Sequence, residues 1–533
     1  MNRFNSSKMK NVLTLFALCS IFSPAMAQNP TFSEDIANII YNNCTSCHRS
    51  GGIAPFALTS YNEVVFQSSQ IPFYIQAGIM PPWPPDTSYQ HYAGERLLTQ
   101  QEIDDIVTWV GNGTPEGDPG LAPDPPVFIE GSAIGTPDLK LQIPVYTSKA
   151  TGFDEYVCFS IPINISTTKY IRAIEVIPGN RSIVHHALAY LDETGTIQTD
   201  TSGCLGLNGA SLMTGFTPGA GPTIFPSTGS MNMGMTVSPG SNLVLQIHYP
   251  DGSGGFKDST YVNLFFYPDS VTNVREVSAG AILSNWTLVI PADTIISFDA
   301  QYPPGVGTLP SSFSLLTVFP HMHLVGKSIE AYAVSATNDT LPFVRINNWD
   351  FEWQGFYNFK KVMVLNAGTK LYGHAVYDNT TANPNNPNTP PQLVTAGEST
   401  TDEMFLVYFH YLLYQPGDEL LNLDSLLSIQ LNIEQTNVTE NKYVNLRSYP
   451  NPFNNSTTLE YYLAAESEVS LSIIDILGRT VKTVSFGQVK GLQTYTWNGN
   501  DLNGLQVKNG IYYFLLDVNG AVSSVKAVIM RMN

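Results

Sequence analysis

The sequence predicts a multidomain chain in which one small all-α module is followed by several antiparallel β-sandwiches. Length is the first reason: 533 residues are too many for one hydrophobic core, since domains run to roughly 100–200 residues. The second is patterning. Helical signals end near Gly111, and from Leu139 onward short β-branched and aromatic runs alternate with Gly, Pro and Asn turns. The third is composition, with 43% hydrophobic but only 13% charged residues. Beyond the N-terminal segment no apolar run reaches the roughly 18 residues that span a bilayer, so no transmembrane segment is expected in the mature chain. Lys+Arg 25 against Asp+Glu 44 gives a net charge of −19. With no basic stripe to release counterions from a phosphate backbone, nucleic acid is not an expected partner. Cysteine and histidine are scarce, at 5 and 9 residues, so their clustering carries information.

Residues 1–27 read as a secretory signal peptide. Arg3, Lys8 and Lys10 precede the apolar run Val12 to Phe22, and Ala25-Met26-Ala27 supplies a small-residue cleavage site. A lipid anchor on Cys19 is the rival, but that chemistry needs a small residue where Leu18 stands. Export places Cys44, Cys47, Cys158 and Cys204 in an oxidising compartment, where unpaired thiols do not persist.

In residues 28–114, Cys44-Thr45-Ser46-Cys47-His48 has the C-x-x-C-H order in which two thiols add to haem vinyl groups and the adjacent imidazole ligates iron. A redox C-x-x-C would prefer a βαβ context, and a zinc half-site would need a second ligand pair nearby. Phe32 to Tyr41 reads as a helix entering the motif. Thr99 with Glu102 forms a capping-box start for a helix carrying Ile103, Ile106, Val107 and Val110 on one face. The module resembles a small helical cytochrome c. The remaining axial ligand is assigned to Met80, in a stiff loop with Pro81 and Pro82; His91 is the alternative. A thioether ligand raises the potential of the iron, which suits electron transfer. Five prolines in residues 115–126 open a semi-rigid linker that extends to 136.

Residues 137–278 and 279–435 read as two β-sandwiches, with five histidines in three tight places. His321 and His323 stand at i and i+2, so on a strand both rings leave one face and can share a metal. The same spacing also fits two histidines on a wet strand face. Adjacent His185 and His186 would point to opposite faces of a regular strand, and can serve one ion only where the strand ends or bulges. His248, in Leu245-Gln246-Ile247-His248-Tyr249, offers a third imidazole. Such sets suit copper, zinc or iron.

These motifs, taken with Asp402-Glu403-Met404, resemble in kind and order the copper type II, ascorbate-dependent monooxygenases, such as peptidylglycine α-hydroxylating monooxygenase and dopamine β-hydroxylase. The resemblance covers about residues 137–435. It implies two antiparallel sandwiches facing each other across an open cleft, each with one copper. His185, His186 and His248 would hold an electron-relay copper; His321, His323 and Met404 would hold the copper that meets O2 and substrate, with Tyr408 contacting substrate. Ascorbate is the family's reductant. The chain departs from the pattern at two places. Phe319 stands where the peptide-amidating members carry an arginine that grips a substrate carboxylate, and Leu406 where they carry an asparagine. A neutral or apolar small organic substrate is therefore expected. Cys158 and Cys204 flank the His185-His186 segment, and a disulfide between them matches one in the family. His374 and His410 are expected to be structural.

Residues 436–533 read as a linker and a small β-sandwich of alternating strands, such as Val469-Ser470-Leu471-Ser472-Ile473. This segment, including Asp475-Ile476-Leu477-Gly478-Arg479, resembles the C-terminal sorting domain of type IX secretion. Generic adhesion sandwiches share the pattern. The expectation is a copper monooxygenase, secreted via the periplasm or held on the surface of a Gram-negative bacterium, with electrons from a fused haem c, another redox protein or ascorbate. A non-catalytic electron-transfer or copper-binding protein with the same fold is the alternative.

Overall fold

The computed structural model describes residues 29–126, 132–204, 207, 209–218, 220–227, 231–426, 446–475, 479–502, 504–518 and 521–531. The expected signal segment 1–27, with Cys19, lies outside them. So do 427–445, where the last linker is expected, and 476–478 of the Asp475–Arg479 motif. Among the described residues no helix is long and apolar enough to cross a membrane.

The first module is helical. A π-turn at Phe32–Ile36 runs into the helix Ala37–Asn43, followed by Tyr61–Gln67, Ile71–Gln76 and Gln100–Gly111. The last begins at the capping box the sequence predicts: Glu102 N–H donates to Thr99 Oγ1, and Thr99 N–H donates to the Glu102 carboxylate at 2.7 Å. Its apolar face closes a core around Phe32, Ile36, Ile40, Val64 and Trp109. Trp109 Nε1 donates to the Pro115 carbonyl at 3.0 Å, tying the start of the proline-rich segment to that core.

Two pairs of sheets follow. In the first, a six-stranded sheet built mainly from Leu139–Gln142, Tyr261–Phe266, Lys169–Ile177 and Asn232–Val237 accompanies a four-stranded one. The latter orders its strands Glu155–Pro162, Asn242–Tyr249, His186–Asp192, Ser211–Phe216. Asn242–Tyr249 is central and carries a nearly continuous apolar run, as a strand buried on both faces must. The second pair sets Ser278–Ser284, Leu406–Leu413, Phe313–His321 and Tyr357–Leu365 in one sheet. Thr294–Tyr302, Lys370–Asn379, Gly326–Val334 and Thr340–Ile346 form the other. Lys370–Asn379 alternates buried and half-buried residues along its length. One hydrophobic cluster runs through both pairs of sheets, whereas the sheet spanning Arg447–Ile529 has its own around Trp497 and Phe514.

Polar contacts tie these parts together at several places. Residues 83–96 leave the helical module and lie along the second pair of sheets: Asp86 accepts from Arg345 Nη2 at 2.8 Å, and fully buried Tyr92 donates its hydroxyl to the Phe343 carbonyl at 2.6 Å. Between the two pairs, Arg275 forks onto Asp418 at 2.6 and 2.9 Å, and Ser314 Oγ donates to the same carboxylate. Burial works to raise the Asp418 pKa, but the hydrogen bonds from Arg275 and Ser314 outweigh it and keep the group below its usual range.

Arg275→Ala leaves the buried Asp418 charge unpaired. We expect it to cost about 3–5 kcal/mol, read as a lower urea midpoint. An unchanged midpoint would mean the fork contributes nothing to holding the sandwiches together.

Candidate metal centres

The strand His186–Asp192 begins at His186, so His185 lies just outside the regular pleat. This is the irregularity that adjacent histidines need in order to face one point. His186 pairs directly opposite His248 on the neighbouring antiparallel strand, and His185 N–H donates to the His248 carbonyl at 3.0 Å. As a result three Nδ1 atoms converge. His185 and His186 Nδ1 are 3.2 Å apart, His248 and His185 3.2 Å, and His248 and His186 3.4 Å. Imidazole–metal bonds of about 2.0–2.1 Å at a tetrahedral angle put nitrogens about 3.3 Å apart, so the triangle fits one ion. Burial pushes the pKa of His186 well down, and the neighbouring imidazoles add to it; burial also lowers His248. Both are thus neutral, the form that ligates.

The outward nitrogens meet carboxylates, the usual second layer of a metal site. His185 Nε2 is 2.6 Å from Glu352 Oε2, on a segment of the second sandwich. Asp154 Oδ2 stands 3.2 Å from His248 Nε2, which finds no aligned hydrogen-bond partner among the described residues. The Tyr156 ring stacks on His248 at 4.5 Å and 4°. Cys158 and Cys204 are joined by a disulfide across a sequence separation of 46 that contains His185 and His186.

The second set forms where the strand Phe313–His321 ends. The rings of His321 and His323 are 5.1 Å apart and nearly perpendicular. His321 Nδ1 bonds to Gln354 Oε1 at 2.6 Å and His323 Nδ1 to the Asp402 carbonyl at 3.1 Å, which leaves Nε2 of each free to ligate. Burial pushes the two down to about 4 and about 3. Fully buried Glu403 joins this segment to Met404. Its carboxylate accepts from the backbone N–H groups of His323, of Val325 at 3.2 Å and of Met404 at 2.8 Å. Burial raises Glu403 to about 8 against these donors. The Met404 carbonyl accepts from the Tyr377 hydroxyl at 3.0 Å, so Met404 is held by its backbone from both sides.

Tyr408 lies with its ring 5.9 Å from Phe319. Phe319 is buried and stacks on Phe356 at 4.3 Å; Leu406, opposite His321 in the strand register, is buried too. His410 is buried and bonds to the Met213 carbonyl at 3.0 Å, and half-buried His374 pairs with Asp299. Both are occupied structurally.

Where the resemblance implies an open cleft, an aromatic ring stands near both histidine sets. The ring of Phe351 stands 6.2 Å from His186, 6.2 Å from His248 and 5.9 Å from His323, in contact with both histidine sets. The sequence reading did not single out Phe351, Glu352, Gln354 or Asp154. The run Trp349 to Phe356 has neither helical nor strand period, and only its density of aromatic and acidic residues could have drawn notice.

At the N-terminal motif, Cys47 and His48 N–H both donate to the Cys44 carbonyl, at 3.2 and 2.9 Å, so one turn presents both thiols and the ring. His48 Nδ1 bonds to the Phe56 carbonyl at 3.2 Å, leaving Nε2 free. Met80 N–H bonds to the Tyr74 carbonyl at 3.2 Å, at the exit of the helix Ile71–Gln76. His91 turns outward and pairs with Glu95.

Comparison with known proteins identifies one of these regions. Residues 307–428 match the copper type II ascorbate-dependent monooxygenase, C-terminal domain. The match supports that family for the second pair of sheets and includes His321, His323, Met404 and Tyr408, while His185, His186 and His248 lie outside it. Residues 453–521 match the FlgD Ig-like domain, and the described strands there form one five-stranded sheet rather than the two layers of the expected sandwich. No curated protein matches the chain. Among solved structures, PorZ, a surface component of the type IX secretion system of Porphyromonas gingivalis, is 19% identical over 16% of this chain and 12% of that one, with a TM-score of 0.14. Dimeric latent PorU from the same organism is 11% identical over 69% and 34%, at 0.16. Parabacteroides merdae β-glucuronidase is 8% identical over 43% and 28%, at 0.12. The chain spans about a third of these structures at most, and TM-scores this low define no common fold.

Glu403→Ala would orphan buried backbone donors worth about 1–3 kcal/mol each. We expect a lower urea midpoint and loss of metal at His321/His323, with metal retained at the three-histidine set. Equal loss at both sets would show that Glu403 does not act locally.

Proposed function

We propose that this chain is an exported copper-dependent monooxygenase that hydroxylates a C–H bond of a small neutral organic substrate with O2. The carrying observation is the meeting of two buried histidine sets of different composition at one ring, Phe351. One offers three Nδ1 atoms in a triangle; the other offers two Nε2 atoms beside a segment that carries a thioether. The donor types fit copper at both: imidazoles accept either oxidation state, and the soft sulfur of Met404 favours the reduced one. When bound, two coppers store one electron each, the pair that O2 needs beyond the two of the C–H bond.

The chain's own residues supply the rest. Gln354 and the Asp402 carbonyl orient His321 and His323, and Glu403 holds the Met404 backbone against them. Tyr408, Phe319 and Phe356 present an aromatic wall with no cation, so a substrate carboxylate has no counter-ion there. Cys44, Cys47, His48 and Met80 would hold a haem c, which when bound would supply electrons one at a time; another redox protein or ascorbate would be the alternative donor. The His48 geometry fits an iron ligand, since its Nδ1 is occupied by a backbone carbonyl and its Nε2 is free. Residues 1–27 direct export, and the Ig-like module serves as a type IX secretion signal that delivers the protein to the medium or the outer surface.

A second reading, a non-catalytic electron-transfer or copper-binding surface protein, is favoured by the burial of Phe319 and Leu406 where amidating members grip substrate. Copper-loaded full-length protein, reductant and candidate neutral substrates under labelled O2 separate the two. Label in a hydroxylated product, with two coppers and one c-type haem per chain, is the expected result. Copper and haem without label in any product would favour the second reading, and zinc in place of copper would remove the first.

His323→Ala and Met404→Ala should each abolish oxygen consumption while the haem spectrum stays unchanged. Oxygen use surviving both changes would mean the reaction centre lies elsewhere.

A further inference from the structure

Of the three histidines whose Nδ1 atoms converge, two are aimed by strand pairing, because His186 and His248 face each other in register. His185 precedes the strand, and its ring has no such constraint. What meets its outer nitrogen is Glu352, at 2.6 Å, from the opposite sandwich. A carboxylate at Nε2 keeps the ring proton there and leaves the lone pair on Nδ1, the nitrogen that points into the triangle.

Glu352 is one of four residues in a short run that act on the two sets. Gln354 holds His321 Nδ1 at 2.6 Å, Trp349 Nε1 donates to the His323 carbonyl at 3.2 Å, and Phe351 packs against His186, His248 and His323. The Glu352 side chain is 57% exposed. An ion pair that open adds little to stability, so orientation of the ring is the effect that remains.

Resting on the function proposed above, we propose that Trp349–Phe356 positions both histidine sets, and that Glu352 is a positioning residue which completes the three-histidine site from the other sandwich. The site therefore takes its full metal affinity only when the sandwiches are packed as seen here.

The test uses the full-length chain carrying Glu352→Ala or Glu352→Gln. Copper affinity is measured by chelator competition, and the nitrogen coupling of the three-histidine Cu(II) signal by electron paramagnetic resonance. We expect Glu352→Ala to weaken that site about 10–100-fold and to change its nitrogen coupling, while the His321/His323 site keeps its affinity. Glu352→Gln, which retains an acceptor oxygen, should restore most of both readouts. Wild-type affinity and an unaltered signal in Glu352→Ala would overturn this proposal alone. A wild-type chain that takes up no copper would overturn it together with the proposed function. The Glu352 effect without any substrate hydroxylation would leave this proposal standing and remove the enzymatic reading.

Discussion

Burying imidazoles is costly unless each ring nitrogen has something to do, and the arrangement of the two sandwiches follows from that constraint. His321 and His323 give their Nδ1 atoms to Gln354 and to the Asp402 carbonyl, and His185 gives Nε2 to Glu352. At the three-histidine set what is left over is Nδ1, which points toward nitrogens of the same kind. Neutral rings with convergent lone pairs, shielded from water, attract a soft or borderline cation and resist protonation. Desolvation lowers His186, His248, His321 and His323, and this is the direction a metal site requires.

The two sets are built by different means. The three-histidine triangle is mostly a product of strand register, a geometry that an antiparallel ladder reproduces to a fraction of an ångström. The second is assembled past the end of a strand, where no ladder holds the backbone. There Glu403 substitutes for it, with one buried carboxylate gathering amide donors from His323, Val325 and Met404. A carboxylate spanning two chain segments can hold irregular backbone as firmly as a sheet holds a strand, provided burial keeps water from competing for it.

Much of the fold was legible in the sequence because periodicity reports burial. The capping box at Thr99, the apolar face that follows it and the switch to strands after Leu139 are local signals, and the structure has them where the pattern puts them. The histidine clusters were legible as motifs, and the need for a strand to end at His185 followed from the two-residue pleat. The partners were not. Asp154 and Glu352 reach the triangle from other parts of the chain, and Phe351 stands near both histidine sets where the resemblance implied an open cleft. Nothing in the spacing of Trp349–Phe356 marks it, because irregular segments have no period to read and their roles are set by whichever surfaces tertiary packing brings to them.

The helical module raises the same issue of distance. Residues 115–126 in an extended proline-rich form would span about 37 Å at ~3.1 Å per residue, a tether long enough to let a carrier wander. The segment 83–96 removes that freedom from the other side, since Asp86 and buried Tyr92 anchor it to Arg345 and the Phe343 carbonyl, and Arg96 Nη1 donates to the Pro218 carbonyl of the first sandwich at 3.2 Å. This segment begins three residues after Met80, at Trp83, whose ring lies 5.5 Å from Tyr357. Tyr357 adjoins Phe356, whose ring stacks on Phe319 at 4.3 Å, and Phe319 lies 6.2 Å from His321. The helical module is thus tethered on both sides, and the segment that tethers it packs on the second sandwich through Trp83 and Tyr92 while Arg96 ties it to the first.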